Sequence, residues 1–381
     1  MAVIRTKSVF DQRDFNLADA FRSARDETLF GEAQARIYGR GYEDVYVFEW
    51  TRGKDEVRAM AVLGEGMEDN KKSGAVTGGT IQMISDFRVD DGKLQEGWMI
   101  GQLGLSVDQV TAAAKSKGRA DDVQLTQQLF AGDDKFLLGA GPNFANGGQG
   151  HDLLRGGASD DTLIGGEGRD TLQGRGGDDL LRLDGGNDLI IGGDGRDMLA
   201  ASGSHAVRVD LAVTGRQKTG LGNDRITGVE DLRGANGNDT LRGDDKNNML
   251  QGQSGNDFLN GRGGNDVLVA GAGRDVLTGG AGKDQFVFNA KTLAGTSAKA
   301  DVITDFRSGV DRIRIRDTDA DFATGGKPGG DGPELTVQRI DKAGTDNDRT
   351  IVRLDNDGDG NVDGYLRLVG LHNLTAEDFL L

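Results

Sequence analysis

The chain has 381 residues, no cysteine, 63 glycines and three prolines, and Asp plus Glu outnumber Lys plus Arg by 62 to 45, for a net charge of −17. Without cysteine there are no disulfides, thiolate metal sites or cysteine nucleophiles. The carboxylate excess disfavours nucleic acid and anionic membrane surfaces as partners and favours cations.

The opening residues "MAVIRTKSVFDQRDF" lack the apolar core of a secretory signal peptide. No apolar run reaches the 18 or more residues that mark a membrane span, so an integral membrane protein is not expected. Residues 1–128 read as a small α+β domain. "NLADAFRSARDE", with Asn16 as cap, "SVDQVTAAAKS" and "DDVQLTQQLF" are predicted helices, while "DVYVFEW", "RAMAVL", "TIQMISDFRV" and "GWMIGQL" are predicted strands. None of the three histidines, His151, His205 and His372, lies in this region. That removes a zinc-protease motif and a Ser-His-Asp triad, and no G-x-S-x-G elbow or P-loop is present.

From residue 129 the chain repeats every nine residues. Asp152, Asp161, Asp170, Asp179, Asp188 and Asp197 mark one block, and Asp239, Asn248, Asp257, Asp266, Asp275 and Asp284 a second; Asp134 and Asn143 extend the register upstream. Two residues beyond each of the twelve block positions stands a large apolar side chain, from Leu154 to Phe286. Each unit has the form Gly-Gly-x-Gly-x-Asp-x-apolar-x, as in "GGEGRDTLQ" (Gly165 to Gln173). Glycine allows the sharp turn, and the last three residues suffice for a strand fragment with one side chain facing inward. Turn, strand, turn and strand make an 18-residue coil of a parallel β-roll, with the leucines inside.

Aspartates 18 apart then fall on the same edge, stacked at about the ~4.8 Å strand spacing. Carboxylates so close repel, and a hard divalent cation between coils removes the repulsion. Ca²⁺, with six to eight oxygen ligands, fits carboxylates and glycine-turn carbonyls better than Mg²⁺, which holds its waters. The expected ligands are Asp134, Asp152, Asp161, Asp170, Asp179, Asp188, Asp197, Asp239, Asp257, Asp266, Asp275 and Asp284, with Asn248 a weaker one. Two sandwiched ions per edge in each block give about eight calcium ions. Arg175, Asp184, Asp244, Gln253 and Arg262 replace the second glycine of their units, and distorted turns are expected there. The residue before each Asp, such as His151, Arg169, Arg274 or Lys283, reads as a solvated turn face.

These tandem units resemble the RTX repeats of secreted Gram-negative exoproteins. The resemblance implies calcium-loaded parallel β-rolls that fold outside the cell, in two arrays, 129–200 and 225–287, separated by an insertion at 201–224. Residues 288–381 resemble the β-rich region that follows such arrays. The closing "EDFLL" (Glu377 to Leu381) resembles the uncleaved signal of type I secretion, which implies export through an ABC transporter. Within this region "DNDGDGNVD" sets Asp355, Asp357, Asp359 and Asp363 at positions 1, 3, 5 and 9 of an EF-hand-like loop, but Leu366 stands where the motif needs Glu. A further calcium loop there and a solvent-exposed acidic turn remain open alternatives.

The expectation is a mainly β, secreted, extracellular calcium-binding protein without catalytic activity. Its role would lie in adhesion, matrix or surface association, or host-directed action, with extracellular polysaccharide or the cell surface as partner. The alternative is a carbohydrate-binding or carbohydrate-modifying exoprotein whose activity lies in residues 1–128.

Overall fold

A computed structural model describes residues 132–322, 332–341 and 348–380, together with the backbone of nine strands between Val3 and Ser106. The three predicted N-terminal helices lie outside the described residues, apart from Ser106, which ends a strand. Among the described residues no helix is long and apolar enough to cross a membrane. The chain divides into two compact units, Met1–Gly195 and Arg196–Leu381.

In the first unit the nine-residue register becomes two stacks of parallel strands. Lys135–Leu137, Leu153–Arg155, Thr171–Gly176 and Leu189–Asp194 form one, and Phe144–Gly150, Thr162–Gly168 and Leu180–Leu183 the other. Leu154 pairs with Leu172, Leu172 with Ile190 and Leu163 with Leu181, so one coil is 18 residues. The core is the row of inward side chains: Phe136, Leu154, Leu163, Leu172, Leu181 and Ile190 have no exposed surface. Burying each such side chain contributes about 1.5–3 kcal/mol.

Pairing runs further than a three-residue fragment. Gly148, Gln149 and Gly150 pair with Gly166, Glu167 and Gly168, so the ladder continues through the glycine turn. Close stacking explains the glycine at 168: its φ is 141°, and a Cβ there would strike the carbonyl oxygen of Gly150 one coil earlier.

The predicted N-terminal strands are present as Asp44–Arg52, Glu56–Glu65, Thr80–Asp90 and Lys93–Ser106, an antiparallel sheet. Val3–Thr6 joins this sheet to the roll. It pairs antiparallel with Lys93–Ser106 and parallel with Lys135–Leu137, covering what would be an open edge of the first coil.

The second unit repeats the scheme. Asp231–Arg233, Met249–Ser254, Val267–Ala272 and Gln285–Asn289 stack in one sheet, and Thr240–Arg242, Phe258–Gly263 and Val276–Ala281 in another. Leu241, Leu250, Leu259, Leu268, Leu277 and Phe286 are buried between them. The insertion is an excursion within one enlarged coil. Met198 pairs with Asp231 and Arg208 with Thr240, so the coil spans 33 and 32 residues instead of 18.

Beyond Asn289 the stack carries on with irregular spacing. Val302 pairs with Val276 and Arg312 with Gln285. The sheet then turns antiparallel through Gly364–Val369, Arg349–Asp355 and Glu334–Ile340. The terminal residues close the other sheet: Phe379 pairs with Ile313, and its ring lies 5.3 Å from that of Phe322. Asp378, buried just before it, accepts hydrogen bonds from the N–H groups of Gly309 and Thr375 at 2.8 and 2.9 Å.

Candidate metal centre

The thirteen repeat positions expected to hold cations, Asp134 through Asp284 including Asn248, are all buried. They align in rows along the coil edges. In the first unit one row runs Asp134, Asp152, Asp170, Asp188 and the other Asn143, Asp161, Asp179. Each is held by the same contact: the backbone N–H of one member donates to Oδ1 of the member 18 residues on. The distances are 2.6 Å for Asp134 to Asp152 and 2.8 Å for both Asp152 to Asp170 and Asp170 to Asp188. In the second unit Asp239, Asp257 and Asp275 form one such row, and Asn248, Asp266 and Asp284 the other, at 2.8–3.0 Å.

Oδ1 is thereby committed to the backbone; Oδ2 is the group with chemistry left. In Asp152, Asp170, Asp257, Asp266 and Asp275 the Oδ2 atom is buried and has no hydrogen-bond partner. It faces the backbone of the turn. A Cβ on Gly147 would meet Asp152 Oδ2 and the carbonyl oxygen of Gly165, and a Cβ on Gly252 would meet Asp257 Oδ2 and the carbonyl of Ala270. Carboxylate and carbonyl oxygens from two adjacent coils therefore converge with no donor between them. Buried oxygens without donors are costly unless a cation joins them. Burial pushes the carboxyls of Asp152, Asp257 and Asp266 up to about 7, assisted by the neighbouring carboxylates of their rows, and that of Asp275 to about 6. An all-oxygen, net-negative donor set of this kind fits a hard divalent cation of the calcium class.

Three positions are satisfied by the protein itself. Asp161 Oδ2 accepts the Gly157 N–H and Asp239 Oδ2 the Ala235 N–H, both at 2.7 Å. Asn248 accepts the Asp244 N–H at 2.9 Å and donates its amide to the carbonyl of Glu230 at 2.7 Å.

Three of the five substituted turns keep the glycine backbone. Arg175, Gln253 and Arg262 stand at φ of 82°, 77° and 72°, the left-handed region a glycine would occupy, so the expected distortion is absent at these three turns. Arg262 uses the position: it forks onto Asp210 of the insertion with two 2.7 Å contacts and donates to the Gly243 carbonyl at 2.8 Å. Asp184 accepts the Gly166 N–H at 2.7 Å, and its other oxygen is buried without a partner.

The residue before each Asp is more than a solvated face. Its side chain often accepts the N–H of its counterpart one coil later: Asp133 from His151, His151 from Arg169, Asn238 from Asn256, and Asn256 from Arg274, at 2.7–2.9 Å. This outer ladder runs opposite in sense to the Asp row, and it ends on Arg169 or Arg274, whose side chains accept nothing.

Two members of the rows were not expected. Asp301 Oδ1 accepts the Asp275 N–H at 2.8 Å, and Asp311 Oδ1 the Asp284 N–H at 3.1 Å. They extend the rows at spacings of 26 and 27, and only "ADVITDF" and "GVDRIRIR", each an Asp ahead of alternating apolar residues, could have signalled them.

In the acidic loop, carboxylate oxygens of Asp355, Asp357 and Asp363 lie within 4.8 Å of one another. Asp355, buried, accepts the N–H groups of Gly358 and Gly360 at 2.7 and 2.8 Å. Asp359 turns away to Asn361 at 2.7 Å.

Comparison with known proteins places these coils. No curated protein matches the chain. Among solved structures, the AlgE6R3 subunit of the Azotobacter vinelandii mannuronan C5-epimerase is 26% identical, over 45% of this chain and 86% of that one, with a TM-score of 0.32. The extracellular lipase LipA of Serratia marcescens is 17% identical, over 72% of this chain and 48% of that one, with a TM-score of 0.28. The family described as the RTX calcium-binding nonapeptide repeat (4 copies) matches residues 130–163, 137–172, 164–199, 233–268 and 260–290. Within residues 130–290, this chain carries RTX calcium-binding nonapeptide repeats.

Proposed function

We propose that this is a secreted protein whose repeat arrays fold on calcium outside the cell, and that the folded rolls present a non-catalytic surface for adhesion, matrix association or host contact. The observation that carries the reading is the set of buried Oδ2 atoms on Asp152, Asp170, Asp257, Asp266 and Asp275, each without a hydrogen-bond donor. With calcium, these oxygens and the turn carbonyls gain a common partner. Without it, a glycine-rich acidic chain faces high backbone entropy and charge repulsion, so metal binding and folding become one event.

The ligands in this reading are the repeat aspartates, with Asp161 and Asp239 engaged less strongly because a backbone N–H already holds their second oxygen. Asp355, Asp357 and Asp363 form an additional calcium loop. The chain leaves the cell unfolded through a type I ABC transporter, at low cytosolic calcium, with Glu377–Leu381 as its signal.

Far-ultraviolet circular dichroism of the full chain tests the central step. Strand signal in millimolar calcium should largely vanish in excess chelator and return on re-addition. Equal signal in both conditions rejects the reading.

A further inference from the structure

The edge that runs Asn248, Asp266, Asp284 and Asp311 does not end like its neighbour. At a regular step, such as that from Asp266 to Asp284, the Oδ2 of the first aspartate and the Gly279 carbonyl of the next coil border the same space, while the Oδ1 of the next aspartate accepts the first one's backbone N–H. At the step from Asp284 to Asp311 the two carboxylates face each other again, with the Gly282 carbonyl beside them, and a side chain lies among these oxygens. The Arg307 guanidinium donates through its Nη2 to the Gly282 carbonyl at 2.5 Å and to Asp311 Oδ1 at 3.0 Å, and lies 3.5 Å from Asp284 Oδ2. Its Nε reaches Asp311 Oδ2 at 3.3 Å.

That this is an equivalent step follows from the ladder. Asp284 donates its N–H to Asp311 Oδ1 as each aspartate does to the next in its row, and Gln285 pairs in register with Arg312. Asp284 and Asp311 are both buried. Gly282, whose carbonyl Arg307 takes, is the third glycine position of its unit. In the coil before, the corresponding Gly264 carbonyl points at Gly282 itself.

The contrast with the interior of the row is direct. Asp266 Oδ2 is buried with no donor, whereas Asp284 Oδ2 has a positive charge beside it. A guanidinium is a permanent cation with donors in a fixed fork, able to bind two carboxylates and a carbonyl together.

We propose that Arg307 is a resident cation that takes the place of a calcium ion at the Asp284–Asp311 step. This rests on the calcium-folding reading above and refines it: the array carries one of its cations covalently, and that step does not respond to calcium. Removing the guanidinium should open a calcium site at the same oxygens.

The test is a count of calcium per chain by equilibrium dialysis and atomic emission, on the full-length protein, with circular dichroism as the check of folding. Arg307→Gln should bind about one ion more than the native chain, because a hard cation can replace the lost charge among the same oxygens. An equal or lower count in the folded variant overturns the proposal. A second variant answers independently of whether that one folds. Asp311→Asn with Arg307 intact should leave the calcium count unchanged, and loss of an ion overturns the proposal. Failure of the parent reading looks different: the native chain itself would bind no calcium.

Discussion

Asp275 accepts the backbone N–H of Asp257 through Oδ1 at 2.8 Å, while its Oδ2 is buried with no hydrogen-bond partner. The two oxygens of one carboxylate thus have separate duties, one to the fold and one to a cation. Asp275→Asn should separate them. The amide can keep the Oδ1 bond, and Asn248 shows that an amide at this position can give its N–H to a carbonyl. With its charge gone, the calcium midpoint of folding should rise about tenfold, or ~1.4 kcal/mol. Calcium titrations of the circular dichroism signal, native against variant, check this, and an unchanged midpoint would mean that the Asp275 charge takes no part in binding.

Leu268 lies between Leu250 and Phe286 in the inward row and has no exposed surface. Leu268→Ala should cost about 2–5 kcal/mol in calcium, through lost burial and the cavity left behind. The measurement is urea unfolding at saturating calcium. A loss below 1 kcal/mol would mean the coils collapse around the gap.

Gln253 and Arg262 hold the same left-handed backbone, but their side chains differ in what they do. The Gln253 side chain donates to the Gln251 amide oxygen at 3.5 Å, whereas Arg262 ties the turn to Asp210 and Gly243. Gln253→Gly should therefore stabilise by about 0.5–1 kcal/mol, by relieving backbone strain. Arg262→Gly should destabilise despite the same relief. Paired chemical melts decide the matter, and equal effects would show that the Arg262–Asp210 fork contributes nothing.

Asp378 supplies a pH dependence. Burial alone would raise its pKa, but the N–H groups of Gly309 and Thr375 and the Ser308 hydroxyl together hold it below the usual 3.8. A depressed folded pKa means the stabilisation is fully present above the unfolded value near 3.8 and is lost as pH falls through the lower folded value. Asp378→Asn should remove that part of the acid sensitivity below pH ~4 and lower stability at neutral pH. Acid titrations of the C-terminal strand signal, native against variant, would show superimposable curves if the carboxylate carries no charge-dependent role.

The roll was legible because its requirements are local and periodic. Leu259, Leu268 and Leu277 each need only to sit two residues after an Asp, and the strand register reproduces that spacing. Asp301 and Asp311 escaped because their coils are longer, and a spacing of 26 or 27 carries no periodic signal. Arg307 escaped for a related reason: its partners Gly282 and Asp311 lie on either side of it in the chain and meet only when the coils stack. The outer ladder through His151 and Asn256 was hidden because Asp, Asn and His are interchangeable as acceptors there, so no single residue type repeats.

The alternation of successive nonamers between two sheets sets a rule for how such a chain can change length. Leu259 and Leu277 belong to one sheet, Leu268 to the other. Gaining or losing eighteen residues adds or removes a whole coil and leaves everything downstream where it was. Gaining or losing nine between Asp266 and Asp275 would exchange the edges, sending Asp275 to the row of Asp266 and moving every later repeat to the opposite sheet. Viable length variants of the second array should therefore come in whole coils, or as enlarged coils like the excursion between Met198 and Asp231, whose ends return to the register they left.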